Sequence, residues 1–235
     1  MLTWHGREIP ETLPEIVDPA HTVVIMHDIQ NDNTGPDGVF AKAGRRIDVT
    51  GIVPPIAAFL DTARRHRVRV MYTQYTNLPG FATFPDPRIR DNHAVLSDPA
   101  RRWTMESSLL GTWGCQTVEE LKPRPGEIVI DKYRVDAFIG TPLEYLLRLH
   151  RVRTIIHTGI ATEVGILPTA WHAINLGFFV VVPEELVGPM QKEYHHEAMA
   201  FLRRLTIVTR AEEIVRAWQA GAGARPGGAA GARPR

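Results

Sequence analysis

Six short, near-continuous runs of apolar residues rich in valine and isoleucine punctuate the chain, at positions 22–26, 68–73, 127–131, 153–158, 178–183 and 205–208. A strand of this kind has no polar face to turn to water, so it needs cover on both sides, which a parallel sheet between helices provides. The stretches between the runs supply the helices. Residues 51–66 place apolar side chains at Ile52, Ile56, Phe59, Leu60 and Ala63, and 141–150 at Leu143, Leu146 and Leu147, both at helical spacing. Strand and helix in alternation predict an α/β fold, a three-layer α/β/α domain with a six-stranded parallel sheet and right-handed crossovers. Functional residues of such a sheet collect at the carboxyl ends of its strands. With 235 residues and 44% hydrophobic content, the chain has room for one such core, expected over 1–219.

Two regions break the pattern. Residues 78–100, with Pro79, Gly80, Pro85, Pro87 and Pro99, read as a long loop that walls a substrate pocket. From Ala220 onward the chain contains only Gly, Ala, Pro and Arg, too little apolar surface to offset ordering entropy, so 220–235 read as a flexible tail. Formal net charge is +1, and no Lys/Arg-rich block interrupts the folded region, which argues against nucleic acid as a partner and for a small molecule. The first residues lack a basic segment followed by an apolar stretch, and no apolar run approaches the roughly 20 residues that span a bilayer. A cytoplasmic protein without membrane attachment is expected. Cys115 is the only cysteine, which excludes an internal disulfide and a multi-cysteine metal site. It reads as a small residue packed near a helix.

Asp28 directly follows the first apolar run and Lys132 the third, and converging strand ends can bring two such residues into one pocket. The segment from Asp28 to Asn33 is also a good turn sequence, but the matching position of Lys132 favours a functional pair. Gln74, after the second strand, is placed to hydrogen-bond a substrate carboxylate, and Arg88 or Arg90 in the loop to pair with it. His27 and His157, on apolar strands, read as core histidines with satisfied nitrogens, His27 lying beside Asp28. His195 and His196 fall on a polar helix face and read as surface. Asp86 and His93 are too isolated for metal ligation, and neither a metal nor a cofactor is expected.

Three segments carry a family likeness: Val23-Val24-Ile25-Met26-His27-Asp28-Ile29-Gln30-Asn31-Asp32, Ile128 through Phe138 around Asp131-Lys132-Tyr133, and Thr158-Gly159-Ile160-Ala161-Thr162-Glu163-Val164-Gly165. In this order and spacing the chain resembles the isochorismatase-like cysteine hydrolases from about Val23 to Thr209, with Gly111-Thr112-Trp113-Gly114 inside the match. The resemblance implies their Rossmann-like sheet, with Asp28 and Lys132 as the catalytic aspartate and lysine. It also implies a cis Ile160–Ala161 peptide, an oxyanion hole from the Ala161 and Gly165 amides, and a substrate site that includes Thr162. Gly165 stands where relatives carry the nucleophilic cysteine, as in the phenazine-pathway isochorismatases, so no thiolate can attack. The resemblance therefore implies hydrolysis of a small, anionic substrate without a covalent step. Vinyl-ether hydrolysis of the isochorismatase type, with Asp28 as general acid, is expected first. The alternatives are C–N hydrolysis of an amide or urea by Asp/Lys-activated water, or an inactive protein that keeps the pocket. One tension accompanies the acid role: Lys132 nearby lowers the Asp28 pKa, whereas a general acid needs it raised. A homo-oligomer, dimer or tetramer, is expected.

Overall fold

The computed structural model describes residues 1–95 and 106–223. A small antiparallel hairpin of β1 (Leu2–Trp4) and β2 (Arg7–Ile9) leads into helix α1 (Leu13–Ile16) and then the first core strand, β3 (Thr22–His27). There follow α2 (Asn31–Thr34), α3 (Val39–Lys42), α4 (Val53–Arg65), β4 (Arg69–Tyr75), α5 (Asp86–Val95), β5 (Ile128–Lys132) and α6 (Leu143–Leu149). The second half runs β6 (Thr154–Ile160), α7 (Leu167–Asn175), β7 (Phe179–Pro183), β8 (Val187–Gly188), α8 (Lys192–Leu205), β9 (Ile207–Thr209) and α9 (Ala211–Gly223).

The main sheet is parallel, in the order β5-β4-β3-β6-β7-β9, with β8 added beside β6. It therefore has seven strands rather than the expected six. The extra one, β8, is only two residues long and too short to register as an apolar run. Successive residues of the central strand β3 point to opposite faces. Val24 and Met26, with Tyr72 and Ile156, pack against Phe59 and Leu60 of α4 and Trp218 of α9. Val23 and Ile25, with Met71 and Ile155, pack against Leu143 and Leu147 of α6, Ala170 of α7 and Met199 of α8. Each large side chain so buried contributes about 1.5–3 kcal/mol, and the two clusters together make the sandwich that the apolar runs require.

Two expectations are corrected. Part of 78–100 is helical: α5 starts at Asp86, and Pro87 sits in its first turn, where a missing N–H costs no hydrogen bond. Residues 96–100 of that region lie outside the described residues. At the other end α9 runs to Gly223, so 220–223 extend a helix instead of starting a tail, and 224–235 lie outside the described residues. Among the described residues no helix is long and apolar enough to cross a membrane.

The backbone turns sharply where β3 ends. Asp28 has φ of 52°, a left-handed conformation that few residues other than Gly, Asn and Asp adopt. Gly159 pairs with His27 across the β3–β6 ladder at φ of 105°, and a Cβ there would collide with the His27 backbone. Glycine at 159 is what lets the two strand ends approach.

Candidate active site

Asp28 and Lys132 meet at the carboxyl ends of their strands. Lys132 Nζ lies 2.6 Å from Asp28 Oδ2, and Thr73 Oγ1 donates to Asp28 Oδ1 at 2.7 Å. Strand β4 runs between β3 and β5, in register His27↔Thr73 and Tyr75↔Lys132, so its pleat sends both Thr73 and Tyr75 toward the pair. Lys132 is fully buried and also donates to the carbonyls of Arg134 (3.2 Å) and Val135 (3.1 Å), while its ammonium lies 5.2 Å from the Tyr75 ring centroid. A buried ion pair is stable only with such additional partners. Burial pushes the Asp28 carboxyl up, but the Lys132 ammonium, helped by His27 and the Thr73 hydroxyl, outweighs it and holds the carboxyl below its usual range. Asp28 is thus an anion at neutral pH.

A cavity of ≈ 510 Å³ opens onto this pair. Asp28, Lys132, Ala161 and Gly165 line it together with Asn33, Tyr75, Ser107 and Ser108, and three cations, the half-buried Arg45 and the exposed Arg46 and Arg88, join them. Met190 and Gln191 belong to the same lining and are fastened to the turn carrying Gly165, since Glu163 Oε1 accepts both of their N–H groups at 2.8 and 2.7 Å.

Residues Thr162–Ile166 form a π turn that opens α7, a local widening often found at functional sites. The Ile160–Ala161 peptide before it is cis. The N–H groups of Val164, Gly165 and Ile166 all point to the Ala161 carbonyl, at 3.3, 2.9 and 3.0 Å. The Gly165 amide is therefore already engaged, and the expectation that it serves as an oxyanion donor is corrected. An ideal Cβ on Gly165 would lie 2.8 Å from His27 Nε2 and 3.1 Å from its Cδ2.

Several other expected site residues lie elsewhere. Gln74 falls on the opposite pleat from Thr73 and Tyr75, donates to Thr117 Oγ1 at 3.3 Å and does not line the cavity. Of the two loop arginines only Arg88 lines it, because positions two apart on helix α5 face different directions and turn Arg90 away. Thr162 is buried and bonds His195 Nδ1 at 2.8 Å, tying α8 to the π turn, so Thr162 is a structural link and His195 is not a free surface residue. Cys115 lies outside the cavity lining, 3.3 Å from Thr76 Oγ1 and 2% exposed, and burial pushes its thiol up, the opposite of a nucleophile. His27 and His157 are fully buried with rings 5.9 Å apart, and among the described residues none of their ring nitrogens has a hydrogen-bond partner. Both were expected to be satisfied. Among the described residues no group of three or more His, Cys, Asp or Glu is placed to hold a metal ion.

The sequence reading missed Thr73, Tyr75 and Arg45–Arg46. The first two were legible from the period of two that flanks Gln74, and the arginines from their place after Gly44 at a loop turn.

Residues 22–213 match the isochorismatase domain. A ureidoacrylate amidohydrolase RutB from Methylobacterium radiotolerans is 31% identical over 201 residues, covering 83% of this chain and 78% of that protein. The protein of the same name from Methylorubrum extorquens is 33% identical over 187 residues, 75% of each chain. Among solved structures, a cysteine hydrolase from Pseudomonas syringae pv. phaseolicola superimposes with a TM-score of 0.73 at 22% identity, covering 87% of this chain and 95% of that one. An N-carbamoylsarcosine amidase from Thermoplasma acidophilum does so with a TM-score of 0.64 at 21% identity, over 82% and 97%. The last two likenesses concern the fold. The expectation of vinyl-ether hydrolysis with Asp28 as acid is overturned: the relatives above 30% identity are named as amidohydrolases, and a carboxyl held ionised by Lys132 has no proton to donate.

Proposed function

The chain belongs to the isochorismatase family of hydrolases, and we propose that within it the protein cleaves the C–N bond of a small anionic ureido or amide compound, using water as the nucleophile. One observation carries the reading: an ionised carboxylate, Asp28, faces the cavity beside Gly165, with its charge fixed by a fully buried lysine. A carboxylate in that state takes a proton from water, which is what an attack on a carbonyl carbon requires where no side chain at 165 supplies a nucleophile. Lys132 keeps Asp28 ionised and oriented. Arg46 and Arg88, both exposed and both lining the cavity, supply positive charge for the substrate's own carboxylate at a distance from the buried reacting end. The 31–33% identity to ureidoacrylate amidohydrolases supports a ureido acid as the substrate type.

The test is a turnover assay of purified protein with ureidoacrylate, N-carbamoyl amino acids, simple primary amides and isochorismate, following ammonia release for the first three and pyruvate for the last. Ammonia from an anionic ureido or amide compound is the expected result. Pyruvate alone, or binding of the panel without any turnover, refutes the reading.

A further inference from the structure

His27 ends strand β3 with its ring fully buried and both ring nitrogens unpartnered among the described residues. Buried polar groups without partners are uncommon and call for an explanation. Their surroundings provide one. His27 Nε2 lies 3.5 Å from Asp28 Oδ2, the same oxygen that Lys132 holds, and 2.8 Å from where a Cβ on residue 165 would begin. The imidazole edge therefore fills the space behind Asp28 that a side chain at 165 would enter.

Resting on the C–N hydrolase reading above, we propose that His27 is a positioning residue that takes over the proton handling no side chain at 165 can share, receiving through Asp28 the proton of the attacking water. Water oxygen bonds to the substrate carbonyl carbon, the carbonyl π pair moves onto its oxygen, and the released proton goes to Asp28 Oδ2. With its own proton on Nδ1, His27 accepts that proton at Nε2 and becomes an imidazolium beside the restored carboxylate. When the oxygen pair re-forms the carbonyl and the C–N bond breaks, the proton returns by way of Asp28 to the departing nitrogen. The other groups acting on the ring suit a transient acceptor. Burial pushes the His27 pKa down to about 4, Asp28 and Asp136 raise it, and Lys132 lowers it, while His157 faces it from β6. The Asp28 carboxyl is likewise held below its usual range, and the 3.5 Å approach of Nε2 to Oδ2 sets the two acceptors side by side.

His27→Val and His27→Gln test this in the full chain. Valine removes an unpartnered polar group from the interior and suits a strand, so His27→Val is expected to melt at or above the wild-type temperature. Its kcat on the ureido substrate is nonetheless expected to fall about 100-fold or more, with KM within about threefold. His27→Gln, polar but unable to take up a proton, is expected to fall as far. The acid limb of kcat/KM should move to higher pH in His27→Val, because the imidazole is one of the groups holding the Asp28 carboxyl down. A folded His27→Val with kcat within about threefold of wild type overturns the proposal while leaving the hydrolase reading standing. Wild-type protein inert to the whole panel removes the hydrolase reading instead. In that case ¹⁵N-histidine NMR decides the proton sharing: a His27 titration that shifts downward in Asp28→Asn supports it, and an unchanged one overturns it.

Discussion

Lys132→Met preserves most of a buried side chain's volume while deleting its charge. In the folded protein that charge stands 2.6 Å from Asp28 Oδ2, with both residues buried. Among the described residues the variant leaves a carboxylate supported only by the Thr73 hydroxyl and the edge of the His27 ring, and takes donors away from the Arg134 and Val135 carbonyls. Truncating one member of a buried ion pair costs about 3–5 kcal/mol, because the other charge stays buried and uncompensated. For a chain of this length that is a drop of roughly 6–20 °C in Tm. The cost depends on pH in a definite sense. In the wild type the depressed carboxyl contributes stability that is present above its unfolded pKa and lost as pH falls through the folded one. Without Lys132 the largest influence on Asp28, burial, is opposed only weakly, so the folded carboxyl rises above its unfolded value. The folded variant then takes up a proton before the unfolded chain does. The deficit relative to wild type is therefore largest near neutrality and shrinks as pH falls. Urea unfolding followed by circular dichroism at about pH 7.5 and about pH 5 measures both features. A deficit below about 1 kcal/mol near neutrality, or one equal at the two pH values, refutes the picture of Lys132 as the counter-charge of a buried anion.

Asp28→Asn keeps the shape and the left-handed backbone, which asparagine tolerates, but cannot accept water's proton; kcat is expected to fall ~10²–10⁴-fold with substrate binding retained by calorimetry. Turnover within about threefold of wild type would rule out Asp28 as the base. Cys115→Ala should leave kcat within about twofold, and iodoacetamide should label the wild-type thiol only once the chain is unfolded; a large loss in the folded variant would make Cys115 part of the chemistry. Arg88→Ala should raise KM for anionic substrates by about tenfold and leave neutral amides unaffected. Equal effects on both classes would show that Arg88 does not read substrate charge.

The layers of the fold were legible because burial on both faces leaves a strand no choice but Val, Ile and their kind, and the meeting of Asp28 with Lys132 follows from where parallel strands end. What escaped the sequence was set by packing rather than by period. Helix α5 carries little apolar stripe, with Ile89 itself exposed, so Pro85 and Pro87 dominated the reading of that region although Pro87 suits a first helical turn. Gln74 was misplaced by a single residue of pleat, which is all that separates the cavity side of β4 from its reverse. His195 was assigned to water by its polar neighbours, whereas its partner, Thr162, lies 33 positions earlier. The solitary state of the His27 and His157 nitrogens is a property of what surrounds them, which composition along one strand does not encode.

The contact between Gly165 and the His27 ring also ties the two positions together. An ideal Cβ at 165 would lie 2.8 Å from Nε2, so a side chain there requires the ring edge to shift. A side chain at 165 and the histidine at 27 therefore compete for the same space, and a smaller residue at 27 relieves the competition. The two sites are thus expected to be coupled in stability: Gly165→Ala should cost more with histidine at 27 than with valine there, which a double-mutant cycle with His27→Val measures.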